Sequence, residues 1–223
     1  MNLPITALIL ATSISANAAA PPKRPRHMTG AHLLAELRDS KAGNRLFDKP
    51  YALGYLAGVA DSTEGRQWCV PAQIRADAVD QRILDYLESL PAAALADSAS
   101  TLLIDQYRNT FPLTGAGCAV NARATTGQLA SWASAARRKP GSGNAKSDMQ
   151  AEEHARFADG YIGGTVDATQ GHDWCAPPRI KPDELDAIAY WALVERPGNS
   201  DGGIAASFLH RALFAKYPCP PRP

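Results

Sequence analysis

Residues Gly54-Tyr55-Leu56-Ala57-Gly58-Val59-Ala60-Asp61, closed by Trp68-Cys69-Val70-Pro71, return as Gly160-Tyr161-Ile162-Gly163-Gly164-Thr165-Val166-Asp167, closed by Trp174-Cys175-Ala176-Pro177. The offset of 106 positions holds without a gap as far as Pro112 against Pro218, and seventeen of the aligned pairs are identical. This period is far longer than the roughly 20–50 residues of stacked solenoid repeats, so each copy reads as a small domain with its own core. The duplication predicts two sister domains, 27–118 and 124–219.

Helical periodicity fills both copies. Thr29 precedes Leu33, Leu34 and Leu37, and Thr126 precedes Leu129 and Trp132, which gives each domain an opening helix. The signature helices are expected over Phe47–Ser62 and Phe157–Ala168. In the first copy Val79, Ile83, Tyr86, Leu87 and Leu90 set a further helix over Asp77–Leu90, and Leu102, Leu103 and Tyr107 set another over Ser98–Asn109. Their counterparts carry Leu185, Ile188 and Trp191, then Ile204, Phe208, Leu209 and Leu213. A breaker-rich stretch, Pro140 to Asn144, forms a loop ahead of the second signature helix. No convincing period-two strand appears, so the fold class is all-α, with about four helices in each domain.

Leu3 to Ile14 is almost wholly apolar and is followed by Ala16-Asn17-Ala18 and Ala18-Ala19-Ala20, two small-x-small cleavage options. Residues 1–20 therefore read as a secretory signal peptide, although no Lys or Arg precedes the apolar run. That run is too short to span a bilayer, which takes about 20 residues, so no stable membrane insertion is expected. With 23 basic and 22 acidic residues, the chain lacks the charge excess that would make nucleic acid or an anionic membrane its main partner. Lys23-Arg24-Pro25-Arg26 and Arg137-Arg138-Lys139 lie in Pro- and Gly-containing segments and read as solvated linker charges.

The four cysteines divide two and two between the copies. Four cysteines allow three connectivities, and the duplication favours the one that each domain can make alone, Cys69 with Cys118 and Cys175 with Cys219. In an exported domain of this size, each such bridge is worth up to about 4 kcal/mol on the chain-entropy model. Tight CxxC or HxxxH spacing is missing, so these cysteines do not suggest a metal site.

Gly54, Gly58 and Asp61 stand at i, i+4 and i+7 and share one helix face, as do Gly160, Gly164 and Asp167. Glycine inside a helix costs about 1 kcal/mol relative to alanine. Its presence at both positions of both copies points to a backbone packed closely against that face. Each Asp at the end of the stripe is placed to accept backbone or Tyr hydrogen bonds, and Trp68 and Trp174 are expected to cover the adjoining disulfides. The stripe reads as architecture before it reads as a partner groove.

Catalytic constellations are not evident. None of the five histidines, His27, His32, His154, His172 and His210, faces another His in the sister copy. A site made of His154, His172 and Asp173 matches no ligand motif. No G-x-S-x-G element occurs, and Glu152-Glu153 and Asp183-Glu184 read as first-turn helix charges. The sequence supports neither an enzyme nor a bound metal or cofactor.

Taken together, the apolar leader, the opening helix, Phe-x-x-Gly-Tyr-x-x-Gly-x-x-Asp, Trp-Cys-x-Pro and a last helix ending in aromatic-Pro and Cys resemble the Rap/Tai family of type VI secretion immunity proteins. The second copy carries the resemblance on Phe157, Gly160, Tyr161, Gly164, Asp167, Cys175, Pro177, Tyr217, Pro218 and Cys219. The first carries it on Gly54, Tyr55, Gly58, Asp61, Cys69, Pro71, Phe111, Pro112 and Cys118. The resemblance implies a periplasmic helical protein whose partner is a secreted peptidoglycan amidase effector, which it binds and blocks. It also implies dimeric action, so the tandem reads as a covalent pseudo-dimer or as half of a homodimer. Two departures stand out: the family usually has one domain per chain, and five residues separate Pro112 from Cys118 where Pro218 meets Cys219 directly.

An inhibitor of this kind needs a segment able to enter a cleft, and loops carry binding more often than helices do. The polar, Gly-rich stretch Pro197 to Gly203 is one candidate, with Asn199 and Asp201 as its effector-binding residues. Its counterpart, Pro91 to Asp97, is mostly alanine, and either stretch also reads as an ordinary helix connection. The alternative function is a structural or chaperone-like envelope protein that uses its small-residue helix faces to hold exported clients.

Overall fold

A computed structural model describes residues 28–38, 49–113, 118, 120–135, 145–195 and 202–220. These residues contain nine helices and no named strand: α1 Gly30–Arg38, α2 Pro50–Thr63, α3 Ala76–Ser89, α4 Ala92–Leu95, α5 Ala99–Thr110, α6 Thr126–Ala135, α7 Ala145–Thr169, α8 Pro182–Val194 and α9 Ala205–Lys216. The first five belong to the first copy and the last four to the second, giving two all-α halves. Residues 1–20, expected to be a signal peptide, lie outside the described residues.

Each half has its own core, into which one alanine of the other half is set, Ala168 in the first and Ala57 in the second. Leu33 and Leu37 of α1, Val79, Ile83 and Leu87 of α3, and Leu103 and Tyr107 of α5 share the first core with Trp68. Leu129 of α6, Leu185, Ala189 and Leu193 of α8, and Leu209 and Leu213 of α9 share the second core with Trp174. Spacings of three and four put these side chains on single helix faces, which is why the helices form where apolar periodicity demands them. Pro50 and Pro182 begin α2 and α8, where a missing backbone N–H costs no helical hydrogen bond. Glu184 reaches back to the Lys181 N–H at 3.4 Å.

The loop after each signature helix is built the same way twice. Thr63 Oγ1 donates to the Val59 carbonyl and accepts the Trp68 indole N–H at 2.8 Å; Thr169 repeats this with Thr165 and Trp174, at 2.9 Å for the indole. Gly65 and Gly171 follow with φ of 77° and 76°, a left-handed turn that suits glycine. Both indoles are fully buried. Trp68 stacks on Tyr107 with centroids 4.2 Å apart. These tryptophans fix the loop to the core through the Thr hydroxyl, a more specific duty than covering a disulfide. Cys69 then donates its N–H to the Phe111 carbonyl, and Cys175 to that of Tyr217. The bridges Cys69–Cys118 and Cys175–Cys219 close loops of 49 and 44 positions.

Two elements differ from the sequence expectation. Helix α7 begins at Ala145, about three turns before Phe157. Residues 145–156 are rich in strong helix formers and contain no Gly or Pro, but most of their side chains are solvated, so no apolar stripe announces them. The extension carries His154 against Trp132 of α6, with ring centroids 5.3 Å apart. The Pro91–Asp97 connection is also not wholly loop, since it contains the single turn α4. Phe47, the expected start of the first signature helix, lies outside the described residues, as does the loop 140–144.

Candidate functional site

Among the described residues, the most extensive helix contact is between α2 and α7, the two signature helices. A β-carbon on Gly54 would collide with the Phe157 carbonyl, and one on Gly58 with the Tyr161 carbonyl. Reciprocally, Gly160 faces the Tyr51 carbonyl and Gly164 that of Tyr55. The close-packed backbone demanded by the glycine stripe is therefore the sister copy's own stripe. What each domain contributes is one half of a seam.

The seam ends in two crossed hydrogen bonds. Tyr55 Oη donates to Asp167 Oδ2 at 2.8 Å, and Tyr161 Oη donates to Asp61 Oδ2 at 2.7 Å. Asp61 also accepts the backbone N–H groups of Arg123 and Ala124, which lead into α6, while Tyr161 Oη accepts the Ala206 N–H at 3.0 Å. Burial pushes the Asp61 carboxyl above its ordinary range, and the donors from Tyr161, Arg123 and Ala124 pull it back part of the way. Burial and the facing aspartates push both phenols well up, so both tyrosines remain donors.

Two ion pairs reinforce this arrangement. Arg123 meets Asp80 of α3 at 2.6 Å, with both side chains largely buried. Burial works against the guanidinium charge, but Asp80, Tyr107 and Asp61 together outweigh it and hold the Arg123 pKa above its ordinary value. Arg66, beyond α2, grips both oxygens of Asp173, beyond α7, at 3.0 and 2.7 Å. His210 of α9 stands 3.4 Å from the same carboxylate. Burial lowers the His210 pKa; Asp173 opposes this, while Arg66 and Arg211 add to it.

Two concavities flank the seam. A cleft of about 440 Å³ lies between the halves, with Glu64, Arg66, Val120, His210 and Arg211 among its walls. Its charges are mixed. A groove of about 450 Å³ runs along α8 to the start of α2, lined by Tyr51, Asp159, Ile162, Asp183, Asp186, Ala187, Tyr190 and Trp191. Burial and the neighbouring aspartates push the Tyr51 phenol up to about 12.

A family model described as Rap1a immunity proteins matches residues 29–113 and, a second time, residues 125–219. The chain belongs to the Rap1a immunity protein family. A search of curated proteins found no match. Membership of the Rap1a family points to a binding protein acting on a secreted effector rather than to an enzyme, so interest shifts to the surfaces that differ between the two Rap1a copies.

Within this Rap1a tandem, the signature residues come together at the seam and the tryptophans lie in the two cores. Asn199 and Asp201 lie outside the described residues. His154, His172 and Asp173 do not form a ligand set: His154 packs on Trp132 and Asp173 pairs with Arg66. Among the described residues, no group of three His, Cys, Asp or Glu side chains is placed to hold a metal, and no helix is long and apolar enough to cross a membrane. Sequence reasoning missed Trp191 and Phe214 as surface features. Both are exposed, at 39% and 50%, where the aligned residues of the first copy are Asp85 and Arg108. Comparing the copies at exposed positions would have found them.

Proposed function

We propose that this chain is a periplasmic immunity protein that binds a type VI secretion cell-wall amidase effector and blocks its active site. The supporting observation is the double family match on two halves that share one glycine-packed seam. Pairing the signature helices makes a tandem scaffold and leaves loops and outer helix faces to meet the effector. The chain thus supplies within one polypeptide the pairing for which a single-domain relative would need a second copy. In this reading residues 1–20 direct export, and 27–118 and 124–219 are the two domains. Asn199 and Asp201, on the connection between α8 and α9, are proposed effector contacts.

The client-binding alternative loses its surface. Gly54, Gly58, Gly160 and Gly164, the small residues that would have formed a docking face, are occupied by one another's helices.

The test is protection in cells. A panel of type VI secretion peptidoglycan amidases is directed, one at a time, to the periplasm, with the chain supplied either complete or without residues 1–20. The complete chain should prevent lysis by at least one of them and the leaderless chain by none. Lysis that proceeds equally with both for every amidase would refute the proposal.

A further inference from the structure

We propose that the α8 groove is the docking surface for the effector, and that its occupant is an Arg or Lys side chain of that protein. This inference rests on the immunity reading and assigns it a surface and a chemistry.

Helix α8 carries Tyr190 and Trp191 where α3 has Leu84 and Asp85. Trp191 is exposed, and its ring stands edge-on to that of Tyr190, with centroids 5.5 Å apart and planes at 87°. Tyr190 in turn reaches the Ala133 carbonyl of α6 at 3.4 Å. The indole is therefore an exposed aromatic backed by an ordered neighbour, the kind of rigid anchor that dominates protein interfaces. The first copy has a carboxylate at that position.

The groove also selects by charge. Its lining includes three aspartates and no Lys, Arg or His among the described residues. Asp159 of α7 and Asp183 of α8, both exposed, line the groove together with the aromatic residues. A planar guanidinium can stack on an indole while donating to carboxylates, a combination that suits Arg and, as a point charge, Lys.

The fold supplies an internal precedent. Asp80, at the α3 position that aligns with Asp186 of α8, already holds a guanidinium, that of Arg123, at 2.6 Å. On α3, then, this position meets an arginine delivered from outside its own helix. The exposed aromatic on α9 has the opposite setting: Phe214 shares its helix with Arg211 and Lys216. That patch provides a control surface.

The experiment uses the full mature chain and two readouts. The first follows the indole N–H signals by NMR during titration with tetra-arginine, then tetra-glutamate. Tetra-arginine should shift the Trp191 signal, tetra-glutamate should not, and Asp159→Asn with Asp183→Asn should weaken the response at least tenfold. An unmoved Trp191 signal, or one indifferent to the two substitutions, would overturn the cation preference. A Trp191 signal that moves only when Lys23, Arg24 and Arg26 are replaced by Ser would assign the groove to the chain's own basic segment and also overturn it.

The second readout titrates the amidase against which the chain protects cells. Trp191→Ala should weaken capture at least tenfold with unchanged thermal stability, while Phe214→Ala should leave it unaltered. If the amidase binds the Trp191→Ala chain as tightly as the parent, the groove is not the docking surface although the immunity reading stands. If it binds neither chain, the immunity reading fails, and the docking proposal fails with it.

Discussion

Tyr55 donates a hydrogen bond to Asp167 at 2.8 Å, from the signature helix of one copy to that of the other. Its mirror image runs from Tyr161 to Asp61 at 2.7 Å. These bonds explain why Gly-Tyr-x-x-Gly-x-x-Asp is a unit: the glycines let two backbones touch, and the touching brings each Tyr within reach of the opposite Asp.

Gly58→Ala should destabilise the protein, although alanine is intrinsically the better helix former by about 1 kcal/mol. The added carbon would meet the Tyr161 carbonyl, a backbone atom that cannot swing away. A loss of about 1–3 kcal/mol, or more, is expected from overpacking. Urea denaturation provides the measurement, and an unchanged or raised midpoint would show that the seam is not closely packed.

Tyr161→Phe should cost roughly 1–3 kcal/mol, the range for leaving a buried polar group without its partner. The substitution removes a donor from Asp61 and the acceptor of the Ala206 N–H. Crystal or NMR structures of the variant should show both groups still enclosed. A midpoint equal to that of the parent would mean water replaces the hydroxyl without penalty.

Calorimetry of the oxidised chain should give one cooperative transition despite the two cores, because the α2–α7 seam couples them. Removing one bridge, by Cys175→Ser with Cys219→Ser, should lower stability by up to about 4 kcal/mol on the chain-entropy model and still melt both halves together. Two well-separated transitions would show that the halves unfold independently.

His210 makes stability fall on mild acidification. Its folded pKa lies below the unfolded value of about 6.5, so the unfolded chain takes up the proton more readily. Its contribution is complete above about pH 6.5 and is lost as pH falls toward the folded value. Subtracting the profile of His210→Gln cancels the background from Asp61 and Glu64, whose raised values act in the opposite sense. The parent should lose more stability than the variant from pH 7 downward. Parallel profiles would contradict the assignment.

Much of the architecture was legible because glycine is costly inside a helix and its repetition needs a reason. Gly54 and Gly58 announced a close backbone, and Asp61 a set of donors. The owner of that backbone was hidden, because packing within a domain and packing between copies leave the same stripe. Arg123–Asp80 and Arg66–Asp173 were hidden for a related reason: ion pairs 43 and 107 positions apart exist only once the helices are placed. The early start of α7 escaped because a solvated helix has no apolar face to read. Trp191 looked like core until α8 turned Leu185, Ala189 and Leu193 inward and left it outside.

The most direct test of the immunity function is a titration of peptidoglycan hydrolysis. The purified chain without residues 1–20 is added in steps to the type VI secretion amidase against which it protects cells, and product release is followed. Activity should fall linearly to near zero at a fixed stoichiometry, with a dissociation constant in the nanomolar range. Hydrolysis that continues undiminished with the chain in large excess would contradict the account.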